Sequence, residues 1–463
     1  MICTDRIKSI HLIGICGTAM GNLAVGLKNA GYSVSGSDSG IYPPMSDFLA
    51  QNGIEIKKYS PDNVENKDLV IIGNAIPRGN VEAEYVLNNK IPFTSLPEAV
   101  NSFFVKNKKL VMVTGTHGKT TTSSLIAYIL EYNGLAPSFL IGGIVPQLKT
   151  GFKYNEDSEY FVLEGDEYDT AFFDKTSKFL KFTPDYLVIN YLEFDHGDIF
   201  ESLKEIKKSF IHLLKKCPQN TTVFLNADHG KTLSLKQYAF SKTTTFGFKQ
   251  NSNYRIKHRG FENGKSIYSI KTEKKEYIFP SFLHGKHNGR NIAAAFAVCL
   301  QIGLPPEKII KAISDFKGVQ RRFELLYQNK EKDITLIHDF AHHPTAFKYT
   351  IETTKKLYPG KKIVAFIEPG TNTIRSGKFN QRLKSLSKIS DILVFLPVPS
   401  KKKHSIKDNF VAPQGENIVN LSNERELEKM LEQNDLGNSV LIFMSNASPW
   451  NYINRVKEFF ERG

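Results

Sequence analysis

The chain has few cysteines and no long apolar run, and each shortage excludes a class of protein. Only four cysteines occur in 463 residues, at the scattered positions Cys3, Cys16, Cys217 and Cys299. No Cys-x-x-Cys pair is present, so we expect free thiols in a reducing compartment and no zinc site. No apolar segment approaches the roughly 20 residues that a membrane span needs. The N-terminus lacks a signal-peptide core. We therefore expect a cytoplasmic protein with no membrane partner.

Acidic residues are in the minority. The chain has 47 Asp and Glu against 61 Lys and Arg, a formal net charge of +14. Three interpretations fit this excess: a solvated lysine-rich surface, a site for anionic small molecules, and nucleic-acid binding. Part of the excess lies late in the chain, in Lys401-Lys402-Lys403. No base-stacking aromatic motif accompanies these lysines, which argues against nucleic acid as a partner.

The most informative motif follows an apolar segment typical of a buried strand and reads Gly115-Thr-His-Gly-Lys-Thr-Thr-Thr122. Gly115 and Gly118 allow backbone N–H groups to face an anion, and Lys119 adds a full positive charge. Thr120 places a hydroxyl where Mg²⁺ would bridge two phosphates. The general phosphate-loop pattern has a further glycine where this chain has Val113. We therefore predict a shortened loop that binds nucleotide phosphates.

The first 107 residues predict a Rossmann-like domain. A candidate strand at 10–13 is followed by Gly14, Gly17 and Gly21, and a second candidate strand leads to Asp38. The glycine spacing differs from that of nicotinamide-binding domains. We therefore expect a cradle for a diphosphate, and the spacing does not favour a nicotinamide cofactor.

Two more domains are predicted from the alternation of strands and helices, a central phosphate-loop domain at 108–318 and a small doubly wound domain at 319–463. The fold class is thus α/β with three domains. Helices separate the candidate strands of the central domain, which favours a parallel sheet, and a later stretch alternates like an antiparallel patch. The candidate strands of these two domains are 160–163, 186–189, 222–225, 334–338, 363–367, 392–396 and 440–444.

Polar side chains follow several of these strands, and parallel sheets build sites at their carboxyl edge. Glu164 comes at the end of one strand, beside the predicted phosphate loop, and is well placed to hold Mg²⁺. The pair Asp195-His196 follows another strand and offers a metal ligand with a group that orients it. A structural role is the alternative for each of these groups.

Later polar motifs also leave two interpretations open. Asn288 and Asn291 lie three residues apart and suit either an adenine edge or a helix cap. Arg322 suits either a γ-phosphate or a structural ion pair. Asp339 suits a ribose hydroxyl, or it holds an arginine or histidine in place. Two adjacent histidines nearby rarely point at one metal, so we expect no zinc there.

Together these motifs resemble the Mur ligases, ATP-dependent enzymes that build the peptide stem of peptidoglycan. The resemblance covers essentially the whole chain, and its motifs occur in the family's order. They are Gly115-Thr-His-Gly-Lys-Thr-Thr-Thr122, Glu164-Gly-Asp-Glu167, Asp195-His196, His287-Asn288 to Asn291, Arg321-Arg322-Phe323, and Asp339 with His342-His343-Pro344.

The resemblance implies a reaction and a set of site residues. ATP would activate a carboxylate as an acyl phosphate, and an amine would then displace phosphate, with Mg²⁺ as a further cofactor. It implies catalytic roles for Lys119, Glu164, His196 and Arg322, and metal ligation by Thr120, Glu164 and His196. It implies ATP contacts at Gly115, Thr116, His117, Gly118, Lys119, Thr120, Thr121, Asn288, Asn291, Arg322 and Asp339. UDP-N-acetylmuramic acid would lie against Gly14, Gly17, Thr18, Asp38 and Asn74, and Arg375 would hold a peptide carboxylate.

Members of the family differ in the second substrate, the amine that they add. One family member adds L-alanine to UDP-N-acetylmuramic acid, and another adds the tripeptide L-alanyl-γ-D-glutamyl-meso-diaminopimelate during peptidoglycan recycling. Segments such as Tyr42-Pro-Pro-Met-Ser46 favour the tripeptide ligase. Gly370 and the segment Ala447-Ser-Pro-Trp450 depart from its pattern and leave the amine substrate open. An L-alanine ligase is one alternative, and a phosphate-loop NTPase acting on nucleic acid is an alternative of another class. The sequence leaves the oligomeric state open, as it does a role in recycling or in de novo synthesis.

Overall fold

A computed structural model of the chain describes residues 4–43, 45–194, 202–272, 275–397, 410–447 and 449–462. Contacts divide the chain into two compact units. The first unit takes the described residues within Met1–Leu192, Lys204–Arg255 and Asn291–Ile313, and the second takes those within Glu193–Leu203, Ile256–Arg290 and Ser314–Gly463. None of the described helices combines the length and the apolar character that crossing a membrane requires.

The N-terminal part of the first unit is a parallel five-stranded sheet in the order β3-β2-β1-β4-β5. This is the order of a doubly wound Rossmann-like sheet, as predicted. The last four residues of β1 are fully buried, and all of them except one histidine are apolar. The elements are β1 (Ser9–Ile13), α1 (Thr18–Asn29), β2 (Ser33–Ser37), α2 (Met45–Gln51), β3 (Ile56–Lys57), β4 (Leu69–Ile72), α3 (Val81–Asn88), β5 (Phe93–Ser95) and α4 (Leu96–Val100).

The rest of the first unit is built on a second, mainly parallel sheet. Its strands lie in the order β14-β13-β12-β6-β9-β7-β8, and only β8 pairs antiparallel with its neighbour. A small hairpin, β10-β11, stands apart from this sheet. The elements are β6 (Lys109–Thr114), α5 (Lys119–Tyr132), β7 (Ser138–Val145), β8 (Thr150–Lys153), β9 (Tyr160–Glu164), β10 (Asp169–Ala171), β11 (Asp174–Ser177), β12 (Tyr186–Ile189), α6 (Leu203–Lys216), β13 (Thr222–Asn226), α7 (Gly230–Leu233) and β14 (Lys242–Gly247).

Aromatic packing joins the two sheets of the first unit. The ring of Phe104, which follows α4, lies 5.5 Å from that of Phe152 on β8 and 4.8 Å from that of Tyr154. On α1, a Cβ added to Gly26 would lie 2.2 Å from the Phe152 ring, so the helix meets this ring without space for a side chain. The elements around the N-terminal sheet therefore pack against the β8 edge of the second sheet.

The next elements contribute to both units. The predicted antiparallel patch is confirmed, because β16 and β17 pair antiparallel. The helix that carries Asn288 and Asn291 runs from Gly285 to Ile302 without interruption at Gly289. These elements are β15 (Tyr254–Glu262), β16 (Lys265–Lys271), β17 (Glu276–Ser281), α8 (Gly285–Ile302) and α9 (Pro306–Asp315).

The last part of the second unit is a six-stranded sheet in the order β18-β19-β23-β20-β21-β22, with β18 antiparallel and the others parallel. Each face is buried by a separate hydrophobic cluster, one reaching Leu427 and Ile453 and the other Phe347 and Leu383. The predicted doubly wound domain is confirmed. The elements are β18 (Glu324–Asn329), β19 (Ile334–Asp339), α10 (Pro344–Leu357), β20 (Lys362–Ile367), α11 (Asn372–Arg375), α12 (Asn380–Lys384), β21 (Ile392–Phe395), β22 (Ile418–Asn420), α13 (Glu424–Gln433), β23 (Ser439–Met444) and α14 (Trp450–Arg462).

The α/β fold class is therefore confirmed. The boundaries placed at residues 107 and 318 stay predictions. The lysine run 401–403 lies outside the described residues.

Candidate active site

The phosphate-loop motif forms the connection between β6 and α5 in the first unit. Gly115 and Gly118 have φ values of 113° and 81°, a region that favours glycine. A Cβ on Gly115 would lie 2.7 Å from the backbone of Tyr191, so the loop passes close to the end of β12. The N–H of Thr116 donates to the Tyr191 carbonyl at 2.9 Å. Strand, glycine turn and helix are thus arranged as an anion-binding helix N-terminus requires.

Carboxylates lie around the side chain of Lys119, the positively charged residue of the predicted phosphate loop. Its Nζ lies 2.7 Å from Oε2 of Glu167, and the Glu167 side chain is only 1% exposed. Burial favours the neutral amine, but the charges of Glu167, Asp166 and Glu164 outweigh burial and raise the pKa of Lys119 above its ordinary value. Lys119 is therefore a cation, which is the state that can hold a phosphate.

Thr120 and Glu164 meet beside this lysine. Thr120 Oγ1 donates to Oε1 of Glu164 at 2.9 Å, and the N–H of Gly142 donates to Oε2 at 2.8 Å. Hydroxyl and carboxylate oxygens are ligands that Mg²⁺ accepts, so this pair fits the metal that the resemblance implies. His196, the third predicted ligand, lies outside the described residues.

Three other residues of the motif that are predicted to contact ATP are buried or half-buried beside the 115–118 turn. Thr116 and Thr121 are buried. The half-buried ring of His117 lies 5.7 Å from that of Tyr191, which stacks on His229 at 4.5 Å. Their contacts with nucleotide stay predictions.

The two asparagines of the predicted adenine motif lie in the first two turns of α8. In the first unit, Asn291 Oδ1 accepts a hydrogen bond from Thr122 Oγ1 at 3.2 Å. In the second unit, Asn288 Nδ2 donates to the carbonyl of His284 at 2.9 Å. Both side chains are buried. Each therefore has a structural contact, and recognition of adenine stays a prediction.

The glycines predicted to hold the UDP part lie at the carboxyl edge of the N-terminal sheet. The N–H of Gly14 donates to the carbonyl of Ser37 at 2.8 Å, which ties the end of β1 to the end of β2. Gly17 is the N-cap of α1 and Thr18 is its first residue. This edge is where doubly wound sheets bind nucleotides.

Asp38 and Asn74 lie at the same edge. The Asp38 carboxylate accepts the N–H groups of Cys16 and Gly40, both at 2.9 Å, so it shapes the loop after β1. Asn74 is exposed and comes two residues after β4, the strand next to β1. The structure thus brings the predicted UDP-binding residues together, and their ligand stays a prediction.

In the second unit, Asp339 holds the segment that carries Arg322. The Asp339 carboxylate accepts the N–H groups of Phe323 and Ala341, both at 2.8 Å. Burial raises the pKa of Asp339, and the nearby Arg322 opposes this rise. The guanidinium of Arg322 lies 4.6 Å from the centre of the Phe340 ring. Asp339 thus has a structural contact with the segment that carries Arg322, and the predicted contacts of both residues with nucleotide stay predictions.

The end of the second unit predicted to bind the peptide combines a buried acid with exposed groups. Glu368 directly follows β20, is buried, and accepts a hydrogen bond from Ser445 Oγ. Arg375 ends the short helix α11. Trp450, one of the departures from the family pattern, is 40% exposed, and its ring lies edge-on to His338 at 5.2 Å. Arg375 as a carboxylate ligand stays a prediction.

Three residues at the phosphate site were not assigned from the sequence. Glu167 is the partner of Lys119, although it lies inside a motif that was recognised. Thr122 is the last residue of the loop motif, and Asn190 donates to its hydroxyl at 3.0 Å. Asn190 directly follows β12, so the strand-end argument that identified Glu164 also applies to it.

The chain was compared with known protein families and structures. Three family models match it: "Mur ligase family, catalytic domain" over residues 9–106, "Mur ligase middle domain" over 113–299, and "Mur ligase, glutamate ligase domain" over 321–446. These three stretches together span most of the chain in the expected order.

Similar proteins carry related names. A Haemophilus influenzae UDP-N-acetylmuramate–L-alanyl-γ-D-glutamyl-meso-2,6-diaminoheptandioate ligase is 38% identical over 80% of this chain and 81% of its own length. A UDP-N-acetylmuramate–L-alanine ligase of Chlorobium phaeobacteroides is 33% identical over 79% of this chain and 76% of its own. The crystal structure of a murein peptide ligase from Psychrobacter arcticus aligns over 98% of both chains with a TM-score of 0.72 and 29% identity.

The chain therefore belongs to the Mur ligase family. Like the members of that family, it is an ATP-dependent ligase that forms an amide bond.

Proposed function

We propose that this ligase joins the tripeptide L-alanyl-γ-D-glutamyl-meso-diaminopimelate to UDP-N-acetylmuramic acid, with ATP and through an acyl phosphate. The observation that carries this proposal is the cluster at the phosphate loop, where Lys119 pairs with Glu167 and Thr120 contacts Glu164. The chain is also 38% identical to a relative named for that tripeptide. The 33% identity to a named L-alanine ligase favours the alternative less strongly.

The first step brings anions together. A carboxylate oxygen of the muramic acid attacks the γ-phosphorus of ATP, the bond to ADP breaks, and an acyl phosphate forms. Lys119 offsets the repulsion because its ammonium is held at the turn where the phosphates would lie, and the helix N-terminus of α5 adds its dipole. Arg322 would add a second positive charge from the segment that Asp339 holds.

Mg²⁺ at Thr120 and Glu164 would neutralise phosphate charge. These two residues already share a hydrogen bond at 2.9 Å, so their oxygens are close together before any ion binds. For both oxygens to bind the ion, the Thr120 hydroxyl would turn its hydrogen away from Glu164.

The second step forms the amide. The amine nitrogen attacks the acyl carbon, the carbon–oxygen bond to phosphate breaks, phosphate leaves and the nitrogen loses a proton. We assign the amine substrate to the end of the second unit that carries Glu368 and Arg375. A buried carboxylate suits an ammonium group, and an arginine suits a carboxylate of the same peptide.

The experiment is phosphate release by the purified protein with ATP, Mg²⁺ and UDP-N-acetylmuramic acid. Tripeptide, L-alanine and L-glutamate are offered separately, and mass spectrometry identifies the product. The proposal expects phosphate and a conjugate with the tripeptide. Turnover with L-alanine alone would establish the alternative, and nucleic-acid-stimulated hydrolysis without sugar nucleotide would contradict a ligase role. A cytoplasmic location and a role in recycling belong to the same proposal.

A further inference from the structure

A chain of three buried side chains lies directly under the phosphate loop in the first unit. Asn190 Nδ2 donates to Thr122 Oγ1 at 3.0 Å, and Thr122 Oγ1 donates to Asn291 Oδ1 at 3.2 Å. The three residues are 3%, 0% and 5% exposed. We call this set the asparagine–threonine relay.

The relay joins three elements through residues of the first unit. Asn190 follows β12, Thr122 lies in the first turn of α5, and Asn291 lies in α8. The backbone of Asn190 is fixed at both ends, because its N–H donates to Thr114 and its carbonyl accepts from Asn226 at 2.8 Å. One end of the relay is therefore anchored on the sheet.

The hydroxyl of Thr122 decides how the relay works. A hydroxyl has one hydrogen, so Thr122 donates to one amide and must accept from the other. Its backbone N–H donates to the carbonyl of Gly118 at 3.0 Å, which links the relay to the turn that opens α5. A side chain of the same shape without the hydroxyl would remove the acceptor for Asn190 Nδ2 and the donor to Asn291 Oδ1 in a buried site.

The relay also shapes the space behind Gly118. A Cβ there would lie 2.3 Å from Asn291 Oδ1 and 3.0 Å from Asn190 Nδ2. The two amides thus pack closely against the turn at Gly118. Since Lys119 and Thr120 come immediately after Gly118, a shift of this turn would move both groups away from the phosphates.

We propose that Thr122 and Asn190 are positioning residues for the nucleotide, acting through the Gly118 turn. The proposal rests on the proposed use of ATP at this loop. It predicts that the relay controls nucleotide affinity and turnover, while the site for UDP-N-acetylmuramic acid, at the edge of the other sheet, is unaffected.

The test uses three variants of the full chain. Thr122→Val keeps the shape and removes the hydroxyl, and Thr122→Ser keeps the hydroxyl. Ser124→Ala is the matched control: it removes a fully buried hydroxyl from the same helix, and that hydroxyl has no hydrogen-bond partner within the described part of the chain. Calorimetry gives the affinity for a non-hydrolysable ATP analogue with Mg²⁺ and for UDP-N-acetylmuramic acid, and steady-state assays give kcat and the KM of each substrate.

Thr122→Val should weaken binding of the ATP analogue about tenfold, as expected when a buried hydrogen-bonding partner is lost, and should raise the KM for ATP similarly. Affinity for UDP-N-acetylmuramic acid should not change. Thr122→Ser and Ser124→Ala should both bind the analogue like the unaltered protein. Asn190→Ala should also weaken binding of the analogue. The double variant with Thr122→Val should lose less affinity than the product of the two separate losses.

Wild-type nucleotide affinity in Thr122→Val, or an equal loss of both ligands, would overturn the relay as a positioning device. Failure of Thr122→Val and Asn190→Ala to fold would overturn it too, because the relay would then be structural. If the unaltered protein bound no ATP analogue, the proposed function itself would fail, which is a different result.

Discussion

The ammonium of Lys119 lies 2.7 Å from a carboxylate oxygen of Glu167, and the two side chains are 13% and 1% exposed. The lysine that should meet phosphate is thus paired with a buried acid. The single charge of Lys119 therefore has two roles, since it stabilises the fold by pairing with Glu167 and should bind phosphate in the reaction.

Lys119→Ala should abolish amide formation, with a loss of at least about a hundredfold in kcat, because one preorganised charge at the phosphates is removed. The same change leaves Glu167 buried without its cation, so the free energy of unfolding should fall by on the order of 3 kcal/mol. Urea unfolding and phosphate release measure these two effects independently.

The double variant Lys119→Ala with Glu167→Gln is the control for the fold. It removes both charges, so it should recover most of the lost stability and none of the activity. Substantial turnover in either variant would contradict the phosphate role of Lys119.

Gly118→Ala should weaken nucleotide binding by at least about tenfold, because a left-handed residue with a side chain is strained by roughly 1–2 kcal/mol and its Cβ would also overlap a neighbour. That neighbour is Asn291 Oδ1, at 2.3 Å. Gly134→Ala is the matched control, since Gly134 has a φ of 78° and no atom lies within 4 Å of its added Cβ. Calorimetric titration with an ATP analogue should show the loss only for Gly118→Ala. Equal affinities in the two variants would show that the packing behind the loop has no effect.

Gly26→Ala should destabilise the contact between the two sheets of the first unit. The new Cβ would lie 2.2 Å from the ring of Phe152, so the free energy of unfolding should fall by about 1–3 kcal/mol. Adding Phe152→Leu should restore part of it, because a smaller side chain relieves the overlap. Gly230→Ala serves as the control, since its Cβ would have no neighbour within 4 Å. Thermal unfolding compares the variants, and an unchanged midpoint for Gly26→Ala would contradict the close packing.

Acid should destabilise the protein through two buried histidines of the second unit. Burial lowers the pKa of His284 and of His338 from 6.5 to about 4, with smaller contributions from His258 and Arg321 respectively. Between these pH values the unfolded chain takes up protons that the folded chain does not, so the free energy of unfolding falls as the pH falls. Each histidine should contribute on the order of 2–3 kcal/mol over that window.

His338→Phe tests this pH dependence. Neither ring nitrogen of His338 has a hydrogen-bond partner among the residues that the structure describes, so the substitution removes titration and no hydrogen bond. The variant should match the unaltered protein near pH 8 and be more stable near pH 5. His284→Phe should differ, since it loses a 3.0 Å hydrogen bond to Ser266 and should be less stable near pH 8. Parallel pH profiles for His338→Phe and the unaltered protein would refute the assignment.

Much of this fold follows from local patterns in the sequence. The apolar run at Tyr186–Ile189 is a strand with the predicted bounds, because buried parallel strands are apolar throughout. Short strands without such a run, such as β8 and β22, were not predicted. The helix α8 contains Gly285 and Gly289, which resemble helix breakers in isolation, and tertiary packing overrides them.

The candidate site shows the same division. Gly115, Gly118, Lys119 and Thr120 form a local motif, so spacing alone identifies them. Thr122 and Asn190 are 68 residues apart in the chain, and only the pairing of strands brings them together. Such contacts depend on the order of the strands in the sheet, and that order cannot be predicted from a local pattern in the sequence.

The most direct test of the central claim follows one oxygen atom. UDP-N-acetylmuramic acid labelled with oxygen-18 in its carboxylate is supplied with ATP, Mg²⁺ and the tripeptide, and the phosphate released is examined by mass spectrometry. Activation of that carboxylate as an acyl phosphate predicts one labelled oxygen in each phosphate. Unlabelled phosphate, or label in a nucleotide product, would contradict the account.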